Sequence, residues 1–295
     1  MKRRDLLKAA SAAAVGCLAF PLRWTFAADG RKQRILYFTR SAGFEHSVVH
    51  RDGDNLSHSE KIMIELGQKT GFDVDCSKDG SLFDGDLNKY DAIAFYTSGD
   101  LTQPDALKTP PMTLKGKKNL LDAIAGGKGF IGFHAATDSF HSPGPGNENT
   151  EVIDPYIQMI GGEFVSHGPQ QDAKITLAAK FPGAPPIEVG QSVSLMEEWY
   201  ASKNFAKDMR VILIQETTGM QGDVYQRPNF PCTWARKHDK GRVFYTSLGH
   251  REDVWTNPMF QALTLGGLAW AMGNVEADVT PNFDQATPQG RQMKR

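Results

Sequence analysis

The stretch Gly127-Lys-Gly-Phe-Ile-Gly-Phe-His-Ala-Ala-Thr-Asp138 constrains this chain more than any other. A short apolar run, Phe130 to Phe133, is bounded by glycines and followed at once by small and polar residues. That pattern predicts a buried central strand of an α/β sheet at its carboxyl end, where open α/β sheets place their ligand crevice. His134 falls at the strand-to-helix elbow, a position where related folds often hold a nucleophile. The local sequence Gly132-Phe133-His134-Ala135-Ala136 offers no Ser or Cys to acylate. A glutaminase or esterase mechanism is therefore not expected.

The flanking sequence repeats the strand-then-helix rhythm. Arg34 to Phe38 predicts a strand, with Asn55 or Ser57 capping a helix that runs to about Thr70 and ends at Gly71. Phe72 to Asp75 and Tyr90 to Tyr96 predict two more strands, Leu114 to Ile124 a helix stopped by Gly126-Gly127, and Glu151 to Ile160 a further helix. Alternation at this spacing implies a mostly parallel, doubly wound sheet. After Phe164 the texture becomes β-rich: residues 173–177, 189–195, 209–216, 232–237 and 241–248 all read as strands. No long linker precedes them, so they continue the same sheet. Pro258 to Met272 is apolar nearly all round and too short to span a bilayer, which predicts a buried helix. The tail, residues 274–295, is rich in Pro, Gln and charge and is expected to be loosely held.

At 295 residues the chain has room for one large domain or two small ones. Its net charge of -1 and lack of a long basic block exclude an electrostatic case for nucleic acid or a membrane surface. Residues 1–28 read as an export signal. Lys2-Arg3-Arg4 precedes the weakly apolar run from Ala9 to Phe20, and small residues close the segment at Ala27-Ala28. The paired arginines resemble a twin-arginine signal, which implies a periplasmic or otherwise exported protein. Val15-Gly16-Cys17 carries a faint lipoprotein-type signal. Three cysteines, one of them in the leader, cannot make a disulfide framework, and free buried thiols are expected at Cys76 and Cys232.

His46, His134 and His250 each follow an apolar run predicted to be a strand. In a parallel sheet those ends share one side, a functional-site pattern. General acid–base work needs only one positioned imidazole. A divalent metal is a second use for three histidines and a carboxylate, although no H-x-x-x-H or C-x-x-C spacing supports it. Glu197 and Glu198 are neighbours, so on a strand only one can face a cleft. No G-x-G-x-x-G follows a first strand, so a dinucleotide site is not indicated. Aromatic residues near strand ends, Tyr200 and Trp234 among them, suit the apolar face of a sugar ring but equally suit an ordinary core.

In order, Thr39-Arg-Ser-Ala-Gly-Phe-Glu-His46, Thr97-Ser-Gly-Asp100, Gly127 to Ala135, Gly161-Gly-Glu-Phe164 with His167, Glu197-Glu-Trp-Tyr200, and Pro231-Cys-Thr-Trp-Ala-Arg236 running into Gly241 to His250 resemble the trehalose-utilisation (ThuA-like) family. The resemblance covers about Ile35 to Met272 and departs at Glu45, where the family usually has Arg. It implies a flavodoxin-like, class I glutamine amidotransferase-like α/β sandwich without the amidotransferase nucleophile, and a role in carbohydrate catabolism. Trehalose-like disaccharides or their 3-keto derivatives would be the substrates.

The resulting expectation is a ThuA-like α/β domain over residues 29–273 acting on a sugar by acid–base chemistry. His134, His250 and Glu198 are the catalytic candidates. Arg40, His46, Asp100, His167, Tyr200, Trp234 and Arg236 are the substrate-binding candidates. No cofactor is required, a divalent metal being the open alternative, and no nucleic-acid or membrane partner is expected. A non-catalytic sugar-binding module and a metal-dependent hydrolase stand as the alternatives.

Overall fold

The computed structural model describes Ala27–Ala28 and residues 31–294. The expected export signal, with Cys17, lies outside the described residues apart from Ala27 and Ala28. β1 (Ala27–Ala28) and β2 (Arg31–Lys32) form a small antiparallel pair. Then come β3 (Arg34–Phe38), α1 (His58–Thr70), β4 (Asp73–Ser77), β5 (Ala92–Phe95), α2 (Leu114–Ala125) and β6 (Gly129–Phe133). The β-rich part comprises α3 (Pro155–Ile160), β7 (Glu163–His167), β8 (Gln171–Leu177), β9 (Ser192–Glu197), β10 (Tyr200–Lys203), β11 (Arg210–Gln215), β12 (Phe230–His238) and β13 (Gly241–Thr246). α4 (Glu252–Trp255), α5 (Pro258–Ala271) and α6 (Phe283–Ala286) close the chain.

Nine strands make one mixed sheet in the order β4-β3-β5-β6-β13-β12-β11-β8-β9. From β4 to β13 every neighbouring pair is parallel, and from β13 to β9 every pair is antiparallel. The architecture is α/β as expected, with the parallel expectation holding for the first half of the sheet. Residues 35–38, 92–95 and 129–133 are buried without alternation, because a parallel sheet is covered on both faces. β8 and β9 alternate instead, as half-exposed antiparallel strands do.

Local signals explain the helix limits. Ser57 and Glu60 form a capping box at the start of α1, and Gly71 ends it in the left-handed region at φ 101°. α3 is shorter than the sequence suggested. Pro155 occupies its first turn under an Asp154 cap, and a proline disfavours helical backbone in the residue before it. Two strands went unanticipated: β7 and β10 pair outside the main sheet and set Tyr200 opposite His167. The tail also departs from expectation. Phe283 is buried, and the Asn282 amide brackets Val211 of β11, accepting from its N–H at 2.6 Å and donating to its carbonyl at 3.1 Å. Of the described cysteines, Cys76 is partly buried and Cys232 buried, and both are free. No described helix is long and apolar enough to cross a membrane.

The first crossover takes the chain from β3 to β4 on one side, and β5 then joins β3 on the other. Such a reversal opens a crevice at the carboxyl ends of the strands. There the loops after β3 and β5 are clamped together. Ala42 and Gly43 donate to the Ser98 carbonyl, and the Ser98 hydroxyl donates to the Phe44 carbonyl. A Cβ on Gly99, at φ 74°, would sit 2.4 Å from the Gly43 nitrogen, so only glycine permits this approach.

Candidate active site

Four side chains from four separate segments meet above the crevice. His46 comes from the loop after β3, His134 from the elbow after β6, His250 from the loop after β13, and Glu198 from the turn between β9 and β10. One nitrogen or oxygen from each lies within 4.8 Å of all the others. These four are the described residues able to hold a metal ion together.

His134 has a φ of 38°, a conformation that costs a residue bearing Cβ about 1–3 kcal/mol. The surrounding structure enforces it: Tyr245 donates its hydroxyl to the His134 carbonyl at 2.8 Å and exchanges a hydrogen bond with Thr137 at 2.9 Å. The His134 Nδ1–H donates to the Ser247 carbonyl at 2.7 Å. A carbonyl can only accept, so this bond fixes the tautomer and turns the Nε2 lone pair into the cluster. That nitrogen is buried without a hydrogen-bond partner and stands 3.4 Å from Glu198 Oε2.

His250 Nδ1 is 3.0 Å from the same carboxylate oxygen. Its Nε2 lies 2.9 Å from the Gln170 amide nitrogen, while the Gln170 oxygen accepts from Arg251 at 2.7 Å. His46 packs edge-on against His134 and His250 with ring centroids 5.0 and 5.2 Å away, and its Nε2 meets the Tyr200 hydroxyl at 3.2 Å. His46 Nδ1, the Tyr96 hydroxyl and the Ser247 hydroxyl are also buried without partners. A buried polar atom left so costs about 1–3 kcal/mol, and the concentration of several here marks the place as built for a ligand.

Burial, followed by the neighbouring His134 and His250, pushes the His46 imidazole down to about 2. Burial likewise lowers His134 against the pull of Glu198. For Glu198, burial works upward, but the adjoining imidazoles of His134 and His250 hold the carboxyl well below the usual range. The cluster is thus an ionised carboxylate surrounded by imidazoles, of which His46 and His134 are held neutral. Glu197 faces the other way, accepting from the backbone N–H groups of Glu198 and Gly249 at 2.8 Å and of His250 at 3.3 Å. Burial raises it to about 7 in spite of those donors.

The exposed edge of the site is formed by His167 and Phe44, with Tyr200 buried behind them. His167 Nδ1 lies 2.9 Å from the Gly168 carbonyl and 3.3 Å from Glu198 Oε1, which leaves its Nε2 as the acceptor. The His167 and Tyr200 rings are stacked, 14° apart in plane. Phe44 is 69% exposed and edge-on to His46 at 5.0 Å.

Of the residues the sequence singled out, the fold brings His46, His134, His167, Glu198, Tyr200 and His250 together. It does not bring in four others. Arg40 is wholly buried, paired with Asp105 at 3.2 Å and donating to the carbonyls of Leu101 and Gln103. Trp234 is a core residue whose indole N–H donates to the Ile160 carbonyl at 2.8 Å. Arg236 pairs with Asp208 and donates to the carbonyls of Gln158 and Met159, tying β12 to α3. The Asp100 carboxylate accepts from the N–H and hydroxyl of Thr102 and caps its own turn. Glu45 pairs with His50 and Lys78 and takes no part in the cluster. Tyr96 stands out in the sequence only as one of the aromatics near strand ends; Phe44, Gln170, Ser247 and the role of the Tyr96 hydroxyl come from the structure. Phe44, an aromatic residue in a polar loop two positions before a candidate histidine, carried a usable signal; Gln170 and Ser247 did not.

The family described as ThuA, trehalose utilisation, matches residues 34–271. Two solved structures are similar. A ThuA-like protein from Bacteroides uniformis ATCC 8492 aligns over 83% of this chain and 93% of its own, with a TM-score of 0.61 and 18% identity. A ThuA-like protein from Parabacteroides merdae ATCC 43184 aligns over 90% of this chain and 100% of its own, with a TM-score of 0.53 and 18% identity. At that identity the likeness concerns the fold alone. No curated protein matches the sequence.

Proposed function

Because the chain belongs to the trehalose-utilisation (ThuA) family, a carbohydrate-related one, we propose that it is an enzyme acting on a disaccharide or glycoside, or on its 3-keto derivative. The observation that carries this reading is the convergence of His46, His134, Glu198 and His250 beneath the exposed ring of Phe44. A sugar presents an apolar C–H face to an aromatic ring and hydroxyl or carbonyl oxygens to imidazoles and carboxylates. A ketone acidifies the adjacent C–H, so a base can remove that proton as the electron pair moves onto the carbonyl oxygen. The resulting enolate expels the glycosidic oxygen, which takes a proton from a general acid, and water later adds to the double bond. No covalent nucleophile is needed.

In this scheme the His134 Nε2 lone pair or the Glu198 carboxylate takes the proton. His250, whose Nε2 faces the Gln170 amide so that its Nδ1 carries the ring proton, returns one to the departing oxygen. Tyr200 and Phe44 hold the ring. We read the α/β architecture more finely as a flavodoxin-like, class I glutamine amidotransferase-like sandwich, supported by the five parallel strands and the strained elbow at His134. We also propose export through a twin-arginine-type signal to the periplasm, on the strength of Lys2-Arg3-Arg4 and the apolar run behind it. The partner is a small sugar, with no nucleic acid.

Incubation of the purified protein with a panel of glycosides and 3-keto-glycosides tests the reading, with product release expected from at least one. Equal activity in the wild type and in His134→Ala would sink the site assignment. The exposed Phe44 also suits a sugar-binding module without turnover. Calorimetric binding of a glycoside with no product on long incubation would favour that alternative.

A further inference from the structure

We infer that His46, His134, Glu198 and His250 form a binding site for one divalent transition-metal ion, of which zinc is the best-matched probe. The inference does not depend on which sugar, if any, the protein turns over.

Two acceptors face each other in the cluster. The His134 Nδ1–H is committed to the Ser247 carbonyl, and its Nε2, buried without a hydrogen-bond partner, faces Glu198 Oε2 across 3.4 Å. Two lone pairs at that range repel unless a cation lies between them. The neighbouring geometry selects the kind of cation. His250 Nδ1 stands 3.0 Å from the same oxygen, and His46 Nδ1, also buried and unpartnered, belongs to a residue of the same cluster. Around an ion with ligand bonds of ~2.1 Å, adjacent ligands of a tetrahedron stand ~3.4 Å apart and opposite ligands of a five-coordinate ion up to ~4.2 Å. The 3.4 Å His134–Glu198 pair already has the tetrahedral spacing, the 3.0 Å His250–Glu198 pair has the ~3.0 Å spacing of ligands at a right angle in a five-coordinate shell, and only the wider spacings, none above 4.8 Å, have to draw in.

Three imidazoles and one carboxylate suit zinc and its transition-metal neighbours; calcium and magnesium prefer an all-oxygen shell. The outer contacts are those of a metal site as well. Ligating histidines commonly give their second N–H to a carbonyl or carboxylate, as His134 does to Ser247. His46 is steadied by the Tyr200 hydroxyl. At His250, Gln170 now points its amide nitrogen at Nε2, which leaves the ring proton on Nδ1. Ligation through Nδ1 moves that proton to Nε2, so the Gln170 amide must turn over to accept it and release Arg251. A position left open on the metal would take one sugar hydroxyl or carbonyl oxygen, a ligand class that fits the proposed substrates, and with the metal bound His134 and Glu198 would serve as ligands rather than as the base.

The test is metal analysis of the untagged full chain purified without chelator, then zinc titration of the chelator-stripped protein by calorimetry. One equivalent per chain is expected. Glu198→Gln and His250→Ala should weaken binding by more than the ~10–100-fold typical of losing an outer-shell partner. His141→Gln, in a separate carboxylate cluster, should bind like the wild type. Should the variants misfold, cobalt loaded into the wild type provides an independent readout, with visible absorption of a four- or five-coordinate nitrogen–oxygen site expected. The inference is overturned if the folded wild type binds neither zinc nor cobalt, if cobalt gives only the weak spectrum of the octahedral aqua ion, or if folded Glu198→Gln binds zinc as tightly as wild type. Metal bound without sugar turnover would uphold this site and fail the proposed activity; turnover by a folded protein that binds neither zinc nor cobalt would do the reverse.

Discussion

The Nε2 of His134 and the Oε2 of Glu198 stand 3.4 Å apart, brought together from the end of a parallel strand and from a turn between two antiparallel ones. Each half of the mixed sheet supplies one member, so the pair exists only when the halves are joined at β13, which is parallel to β6 and antiparallel to β12. If this pair carries the acid–base step, His134→Ala and Glu198→Gln should each lower kcat by about 10²–10⁴-fold. Steady-state rates on the responsive glycoside check this, with far-ultraviolet circular dichroism confirming that both variants fold.

Phe44 should matter to the ligand and little to the fold. Its ring is largely exposed, so Phe44→Ala should leave the urea midpoint nearly unchanged. Loss of the stacking face should raise KM or Kd about tenfold, equivalent to ~1.4 kcal/mol. Parallel binding and denaturation measurements on the same preparation separate the two effects.

Arg40 should behave in the opposite way. Its guanidinium is fully buried against Asp105 and two carbonyls, and removing it leaves a carboxylate without its charge partner. Arg40→Ala is expected to cost about 3–5 kcal/mol of stability. A urea midpoint close to wild type, with loss of sugar binding instead, would return Arg40 to the substrate site.

Glu197 should act as a positioning residue for His250. Its carboxyl gathers the N–H groups of Gly249 and His250, so Glu197→Ala frees that loop and leaves buried donors unpaired. A destabilisation of about 2–3 kcal/mol is expected. Glu197→Gln, which keeps one acceptor oxygen, should recover much of it, and calorimetric unfolding of the two variants makes the comparison.

A second cluster sets the pH window of stability. His141 is raised to about 9 by hydrogen bonds with Asp138 and then Glu163, against burial. Its contribution is complete below the unfolded value near 6.5 and is lost as pH rises through about 9. For Glu163, burial works upward, but hydrogen bonds from His141, Ser142 and Asn204 bring it down to about 2. Its contribution is complete above about 4.5 and is lost as pH falls through about 2. Urea denaturation across pH should therefore show both contributions intact between roughly pH 4.5 and 6.5. His141→Gln should flatten the alkaline limb; an unchanged alkaline limb would place the His141 proton elsewhere.

Much of the framework was legible before the structure. The unbroken apolar runs at Ile35–Phe38, Ala92–Phe95 and Phe130–Phe133 announced buried parallel strands, because only a strand covered on both faces can dispense with alternation. Ser57 and Gly71 bounded α1 and Gly126-Gly127 stopped α2 as capping chemistry requires, whereas the Thr113 cap of α2 emerged only in the structure. Once the strands were known to be parallel, the histidines following three of them had to share one edge. Partners that depend on distant segments were not legible. Arg40 and Arg236 looked like ligand-binding cations because their sequences do not contain Asp105 or Asp208 as neighbours. The tail looked loose because no local pattern shows Asn282 meeting Val211 across 71 positions of chain.

The sequence by itself therefore determined the periodicities, the caps, the missing nucleophile at the elbow and the side of the sheet on which a site could form. These follow from local sterics and burial, which act within a few residues. Only the tertiary structure decided that Glu198 rather than Glu197 faces the histidines, that the Ser247 carbonyl fixes the His134 tautomer, and that Phe44 rather than Trp234 stands at the exposed edge of the site. Those outcomes rest on contacts between groups far apart in the chain, whose directions are set only when the whole sheet has closed.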